Sequence, residues 1–314
     1  MSLDAAERLR RPSPTPARTV AAAQAAPAPP KPRRVVRASS FGYRFARSRT
    51  ALAGSIGLAL VAGAALFAGE IFPGDPLDMV ARPFIWPFTT AEYPLGTDML
   101  GRDILVGLVY AARVSLAVGL AAAGLAVALG VVFGALSGYF GGWVDQALTR
   151  ITEVFQTMPP LVFVVVVVAI LTPSVSSIVL GIAVTSWPQI ARLVRAEALR
   201  LREAEFVQAA RVMGMGHVRI ILTHILPNAI SPVVVAGSIL VASAILTEAA
   251  LSFLGLGDPN LISWGSMIGS GREVLRTAWY MTALPGLAIS LTVMALNLLG
   301  NGLNDVLNPR VSLT

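Results

Sequence analysis

"EFVQAARVMGMGHVRIILTHILPN", residues 205–228, separates two long apolar runs, and its reading decides the fold. Between Arg192 and Arg219 lie six arginines (192, 195, 200, 202, 211 and 219) in a chain otherwise sparing with charge. Phe206, Ala209, Ala210 and Met213 recur at i, i+3, i+4 and i+7, the spacing of one apolar helix stripe. Glu205 and Gln208 fall elsewhere around that helix. Gly214 and Gly216 end it, because glycine takes the left-handed C-cap conformation at low cost. Val218, Ile221, Leu222 and Ile225 form a second stripe, and Pro227 is expected to close it. A short amphipathic helix at a sharp turn needs cover for its stripe. Lipid headgroups are one cover and a groove on another protein is the other; the pattern alone leaves both open.

The flanks are membrane-like. Of the 314 residues, 55% are hydrophobic and 13% charged, where soluble domains average about a quarter charged. Apolar runs fall at about 51–69, 113–138, 159–172, 176–194, 229–254 and 282–303. About 20 helical residues cross a bilayer core of about 30 Å, so the expected fold is an all-α polytopic membrane protein with six transmembrane helices. The third run is short, and "WVDQALTRITEVFQTM" is expected to extend it across a Pro-Pro kink. Gly119, Gly124, Gly130 and Gly134 predict close helix contacts, since small residues supply packing where lipid removes the hydrophobic drive.

Charge orients the chain. Residues 1–49 carry eleven basic side chains against Asp4 and Glu7. A basic segment before an apolar run too long for a signal peptide reads as a cytoplasmic anchor rather than a nucleic-acid arm. With both termini inside, 19 Lys and Arg fall inside and four outside (Arg82, Arg102, Arg272, Arg276). Residues 1–37, rich in Pro and Ala, are expected to be a disordered cytoplasmic leader, and 38–314 the membrane domain. The loop at about 70–112 is then external and partly ordered, and about 196–227 is cytoplasmic.

Several chemistries are excluded. The single lysine, Lys31, stands in no phosphate-cradling Gly-x4-Gly-Lys-Ser/Thr loop. There is no cysteine, and His217 and His224 stand seven apart without a metal-ligand pattern. "GTDMLGRD" (96–103) predicts turns and caps rather than a phosphate loop. Glu248, and Asn297 with Asn301 at i, i+4, are polar groups within spans. Each is a candidate for the solute pathway or for hydrogen bonding to a neighbouring helix.

"QAARVMGMGHVRIILTHILP" resembles the EAA loop of ABC-importer permease subunits, matching it at Ala209, Ala210, Gly214, Leu226 and Pro227. Gln208 replaces the usual Glu, and His224 the usual Ile. "PLGTDMLGRDIL", "ARVSL", "EAALSFLGLGDPN", "SWGSMI" and "NGLNDVLNPR" are similar to the second permease of the dipeptide/oligopeptide branch, so the resemblance spans about 41–312. It implies a type I importer permease fold, located in the inner membrane of a prokaryote. It also implies a homologous second permease, two cytosolic ATPases that carry ATP and Mg, and an external substrate-binding protein; no cofactor is implied for this chain. Glu205, Phe206, Gln208, Ala209, Ala210, Met213, Gly214 and His217 are then expected to engage an ATPase. The implied cargo is di- or oligopeptide, and nickel chelates, glutathione and opines use similar permeases. A secondary transporter, the alternative from another class, has no need of such a loop.

Overall fold

The computed structural model describes residues 41–307. The expected leader and the end of the C-terminal motif lie outside them. Every regular element among the described residues is helical. α1 (Phe41–Arg47) leads into α2 (Arg49–Leu66), whose first turn is capped by the Ser48 hydroxyl accepting from the Ala51 amide. A short α3 (Ala68–Ile71) precedes the loop to α4 (Ile104–Phe140). α4 has 37 residues, a length of about 55 Å. It starts nine residues before the apolar run, because the Asp103 carboxylate caps it by accepting from the Leu105 amide at 2.8 Å. The loop before α4 therefore ends near residue 103, not 112.

Gly141 and Gly142, with φ of 67° and 54°, turn the chain into α5 (Gly142–Thr157). At Pro159–Pro160 the path bends by 86° into α6 (Pro160–Leu171). The kink expected at the Pro-Pro pair is thus a sharp bend, since the two prolines remove adjacent amide donors. Five helices are individually long and apolar enough to cross a membrane, and the bent pair is the sixth when counted as one span.

α7 (Val175–Arg202) continues well past the expected end of its apolar run. Nothing in "RAEALRLR" breaks a helix, and Glu197 and Arg200 pair at 2.7 Å across i,i+3. The loop expected from 196 begins only at Glu203. It comprises α8 (Glu205–Val212) and α9 (His217–Ile220), followed by a π turn at Ile221–Ile225. α10 (Leu226–Phe253), α11 (Trp264–Gly271) and α12 (Tyr280–Leu307) complete the described chain. Pro227 does not close α9, contrary to the sequence expectation. The π turn lets the Leu226 amide donate to the Ile221 carbonyl, five residues back, and the Asn228 side chain donates to the His224 carbonyl at 2.6 Å. The helix thus widens around the ring instead of stopping.

A small-residue seam joins α4 to α7. A Cβ on Gly130 would lie 2.5 Å from Ile190 Cβ, on Gly134 2.4 Å from the Ala191 carbonyl oxygen, and on Gly138 2.6 Å from Ala198 Cβ. Gly119 is pressed against Ile245 of α10. Gly124, expected at a contact, faces open space, and Gly138 takes its place in the seam. Arg113, well inside α4, caps α2 by donating to the Ala65 and Leu66 carbonyls.

Candidate functional site

Two glycines and a buried edge shape the 205–225 elbow. α8 presses Val207 and Ala210 inward, with exposures of 0% and 1%. Phe206, Val212 and Met213 stand 46%, 89% and 75% exposed, and Glu205, Gln208 and Ala209 are also exposed. The stripe read from sequence therefore splits: Phe206, Ala209 and Met213 point out, whereas Ala210 belongs to the anchoring side. Val212 joins the exposed set; the i+3/i+4 template missed it because the helix is too short to define one face.

The end of α8 is a Schellman turn. Gly214 sits at φ +78°, its amide donating to the Arg211 carbonyl at 2.9 Å, while the Met215 amide reaches the Ala210 carbonyl at 3.0 Å. Met215 tucks back against the main apolar core. α9 then buries Ile220, Ile221 and Ile225 and exposes Val218 and Leu222. The expected second stripe is rotated, with Ile220 in place of Val218 and Leu222 outward. The Phe206 and His224 rings meet edge-on at 6.1 Å, tying α8 to the π turn.

An aromatic anchor joins this elbow to α4. His217 Nδ1 and the hydroxyl of buried Tyr139 share a hydrogen bond at 2.8 Å. Phe140 packs on the same imidazole at 5.9 Å, and the Arg211 guanidinium stacks over Tyr139 at 5.0 Å. His217 is thus a bridge to the second span as well as part of the exposed surface. Beside it, Arg195 of α7 grips Asp145 of α5 through two bonds of 2.5 and 2.7 Å, and Ser137 of α4 donates to the same carboxylate. The ends of α4, α5 and α7 are therefore cross-braced directly above the elbow.

The in-span candidates separate. Glu248 is 2% exposed, accepting from Ser252 at 2.7 Å and from Ser115 at 3.3 Å; the Trp264 amide donates to Ser115 in turn. This cluster ties α4, α10 and α11 together and gives Glu248 hydrogen-bonding partners. Ser115 was not legible as a partner because it stands 133 positions from Glu248, whereas Ser252 stands only four beyond it on α10. Asn297 is half-buried and Asn301 exposed, on one side of α12. Among the described residues no group of three or more His, Asp or Glu is placed to hold a metal.

Residues 130–313 match the family described as binding-protein-dependent transport system inner membrane component. The chain is 37% identical over 277 residues to the di/tripeptide transport system permease protein DppC of Pseudomonas aeruginosa, covering 86% of this chain and 91% of that protein. It is 36% identical over 272 residues to the glutathione transport system permease protein GsiD of Pectobacterium atrosepticum, covering 86% and 90%. An inward-facing structure of the MetNI methionine ABC transporter shares the fold, with TM-score 0.54 at 18% identity over 64% of this chain and 96% of that one. With its apolar helices, its elbow and a family match that extends over most of the membrane domain, the chain belongs to the inner-membrane components of binding-protein-dependent transport systems, the multi-pass permease subunits of bacterial ABC importers.

Proposed function

We propose that this chain forms one half of the pathway of an ATP-driven importer for di- and oligopeptides, and that the exposed face of α8 is where a cytosolic ATPase grips it. The observation that carries the reading is the division of α8. One edge is locked to the bundle, while Phe206, Val212 and Met213 stand free at the turn. In this account a homologous second permease completes the pathway, two ATPases hold ATP and Mg, and an external binding protein delivers cargo. ATP hydrolysis belongs to those partners; this chain's part is mechanical. The excess of arginine around the elbow and before α1 supports a cytoplasmic elbow, with both termini on that side.

The motion has a short route. Displacement of the elbow reaches α4 through the bond from Tyr139 to His217 of α9, and α7 through the packing of Val207 and Ala210 of α8. The Gly130–Gly134–Gly138 seam makes α4 and α7 move as one body. Close-packed helices transmit shifts because they are not continuously deformable. The cargo class rests on the likeness to peptide permeases, and the glutathione permease relative favours a second reading, a γ-linked tripeptide. Reconstitution with the partner subunits tests both: ATP-dependent uptake of labelled dialanine, resisted by excess glutathione, supports the first. Glutathione uptake without dialanine uptake supports the second.

A further inference from the structure

At the end of α4 opposite the elbow, the loop before α4 and the segment between α10 and α11 enclose a cavity of about 310 Å3. Small-molecule sites begin at about 300 Å3. Two of the motif stretches singled out in the sequence meet here: "GTDMLGRD" supplies Asp98, Arg102 and Asp103, and "GLGDPN" supplies Asp258. Leu77 and Met267 add apolar wall.

The charges in this cavity are unusual in how they are used. Asp98 holds the main chain of Arg102, not its side chain. Its carboxylate accepts from the Arg102 amide at 2.9 Å, and its own amide donates to the Arg102 carbonyl at 3.0 Å. Asp103 is committed to capping α4, and Asp258 accepts from the Asn260 amide at 3.0 Å. Among the described residues the Arg102 guanidinium forms no ion pair, and its Nε is buried without a hydrogen-bond partner. Leaving such a donor unmatched is costly, and a planar guanidinium matches a carboxylate through two parallel bonds. Among the described residues, Asp98 and Asp103 accept through Oδ1 alone, which leaves each a second oxygen for an ammonium group.

The frame is rigid. Gly96 and Gly101 both sit at φ +79°, and a Cβ would fall 2.2 Å from the Ile85 carbonyl oxygen and 2.0 Å from that of Ala81. The Tyr280 hydroxyl pins the loop to α12 by donating to the Ile85 and Thr97 carbonyls at 3.1 Å. The site is therefore pre-formed, as small-molecule pockets usually are.

We propose that this cavity binds a small zwitterionic solute, with Arg102 holding its carboxylate and the surrounding aspartates its ammonium group. The assignment deepens the peptide-importer reading and rests on it: it places a solute contact on this chain at the end remote from the ATPase surface. A protein docking there through one acidic side chain is the competing occupant, and the size and concavity of the cavity favour the small solute.

The assembled transporter in nanodiscs, without its external binding protein, is titrated with dialanine, and saturation-transfer NMR reads the bound peptide. Dialanine is expected to give a signal that dialaninamide, which lacks the carboxylate, does not. Arg102→Gln is expected to weaken dialanine binding by about tenfold or more, and Arg102→Lys by less. The comparison of the two peptides on the unsubstituted protein stands even where Arg102→Gln fails to assemble. Equal signals for both peptides, or none for either, overturn the site. So does an Arg102→Gln defect that appears only when the binding protein is added and is the same for both peptides, which assigns Arg102 to protein docking. Uptake of dialanine by the complete reconstituted system scores the importer reading separately. Uptake without an Arg102-dependent signal removes the pocket and leaves the importer; the signal without uptake supports the pocket and removes the peptide importer.

Discussion

Gly214 and Gly216 look alike in sequence and differ in what they must do. Gly214 holds φ +78°, Gly216 holds φ −64°, and neither has an atom within 4 Å of a built Cβ. Gly214→Ala should therefore destabilise the elbow by about 1–2 kcal/mol through backbone strain alone, while Gly216→Ala, at the N-cap of α9 with an ordinary φ, should cost less, about 0.5 kcal/mol. Limited proteolysis of the purified complex reads the difference. Tyr139 carries a second residue-level test. Tyr139→Phe keeps the ring under Arg211 and removes the bond to His217, worth about 0.5–1.5 kcal/mol. ATPase association should survive, while solute moved per ATP hydrolysed should fall; an unchanged ratio argues against the anchor as a link in the motion. The elbow's outline was legible because glycine spacing and apolar period are local signals. The anchor was not, because Tyr139 and His217 are 78 positions apart and nothing local to either predicts the other.

The helices were legible as apolar runs, but several of their ends were not. α4 starts early because the apolar stretch ILVGLVYAA (104–112) is itself helix-compatible and follows directly on the Asp103 cap, and α7 runs long because charged residues continue a helix as readily as apolar ones. Pro227 misled for a related reason: a proline breaks an α-helix only if the ladder ahead of it keeps its period, and a π turn relieves that conflict. The glycines of α4 separate the same way. Gly134→Ala forces a methyl to within 2.4 Å of the Ala191 carbonyl oxygen and 2.8 Å of Val194 Cβ, and should cost about 1–3 kcal/mol. Gly124→Ala, inside α4, meets nothing within 4 Å and should stabilise by about 0.5–1 kcal/mol. Thermal unfolding in detergent distinguishes them, and equal melting shifts for the two variants contradict the seam.

For the whole molecule, the two ends of α4 divide the labour: an elbow and its bracing at one end, a charged cavity at the other, and a helix of about 55 Å between them. A chain lacking residues 1–36, the Pro- and Ala-rich stretch of the sequence, should still assemble with its partners, as co-purification would show. The central claim is that the exposed face of α8 lies in a protein groove rather than on lipid. The chain has no cysteine, so Met213→Cys gives a single addressable site on the exposed part of that face. Carrying a spin label, it should lose mobility and become inaccessible to both oxygen and aqueous relaxants when the ATPases bind, and it should crosslink to an ATPase in a yield that changes with ATP. A label that stays accessible to oxygen throughout turnover, with no crosslink to an ATPase, would place the elbow against the bilayer and contradict the account.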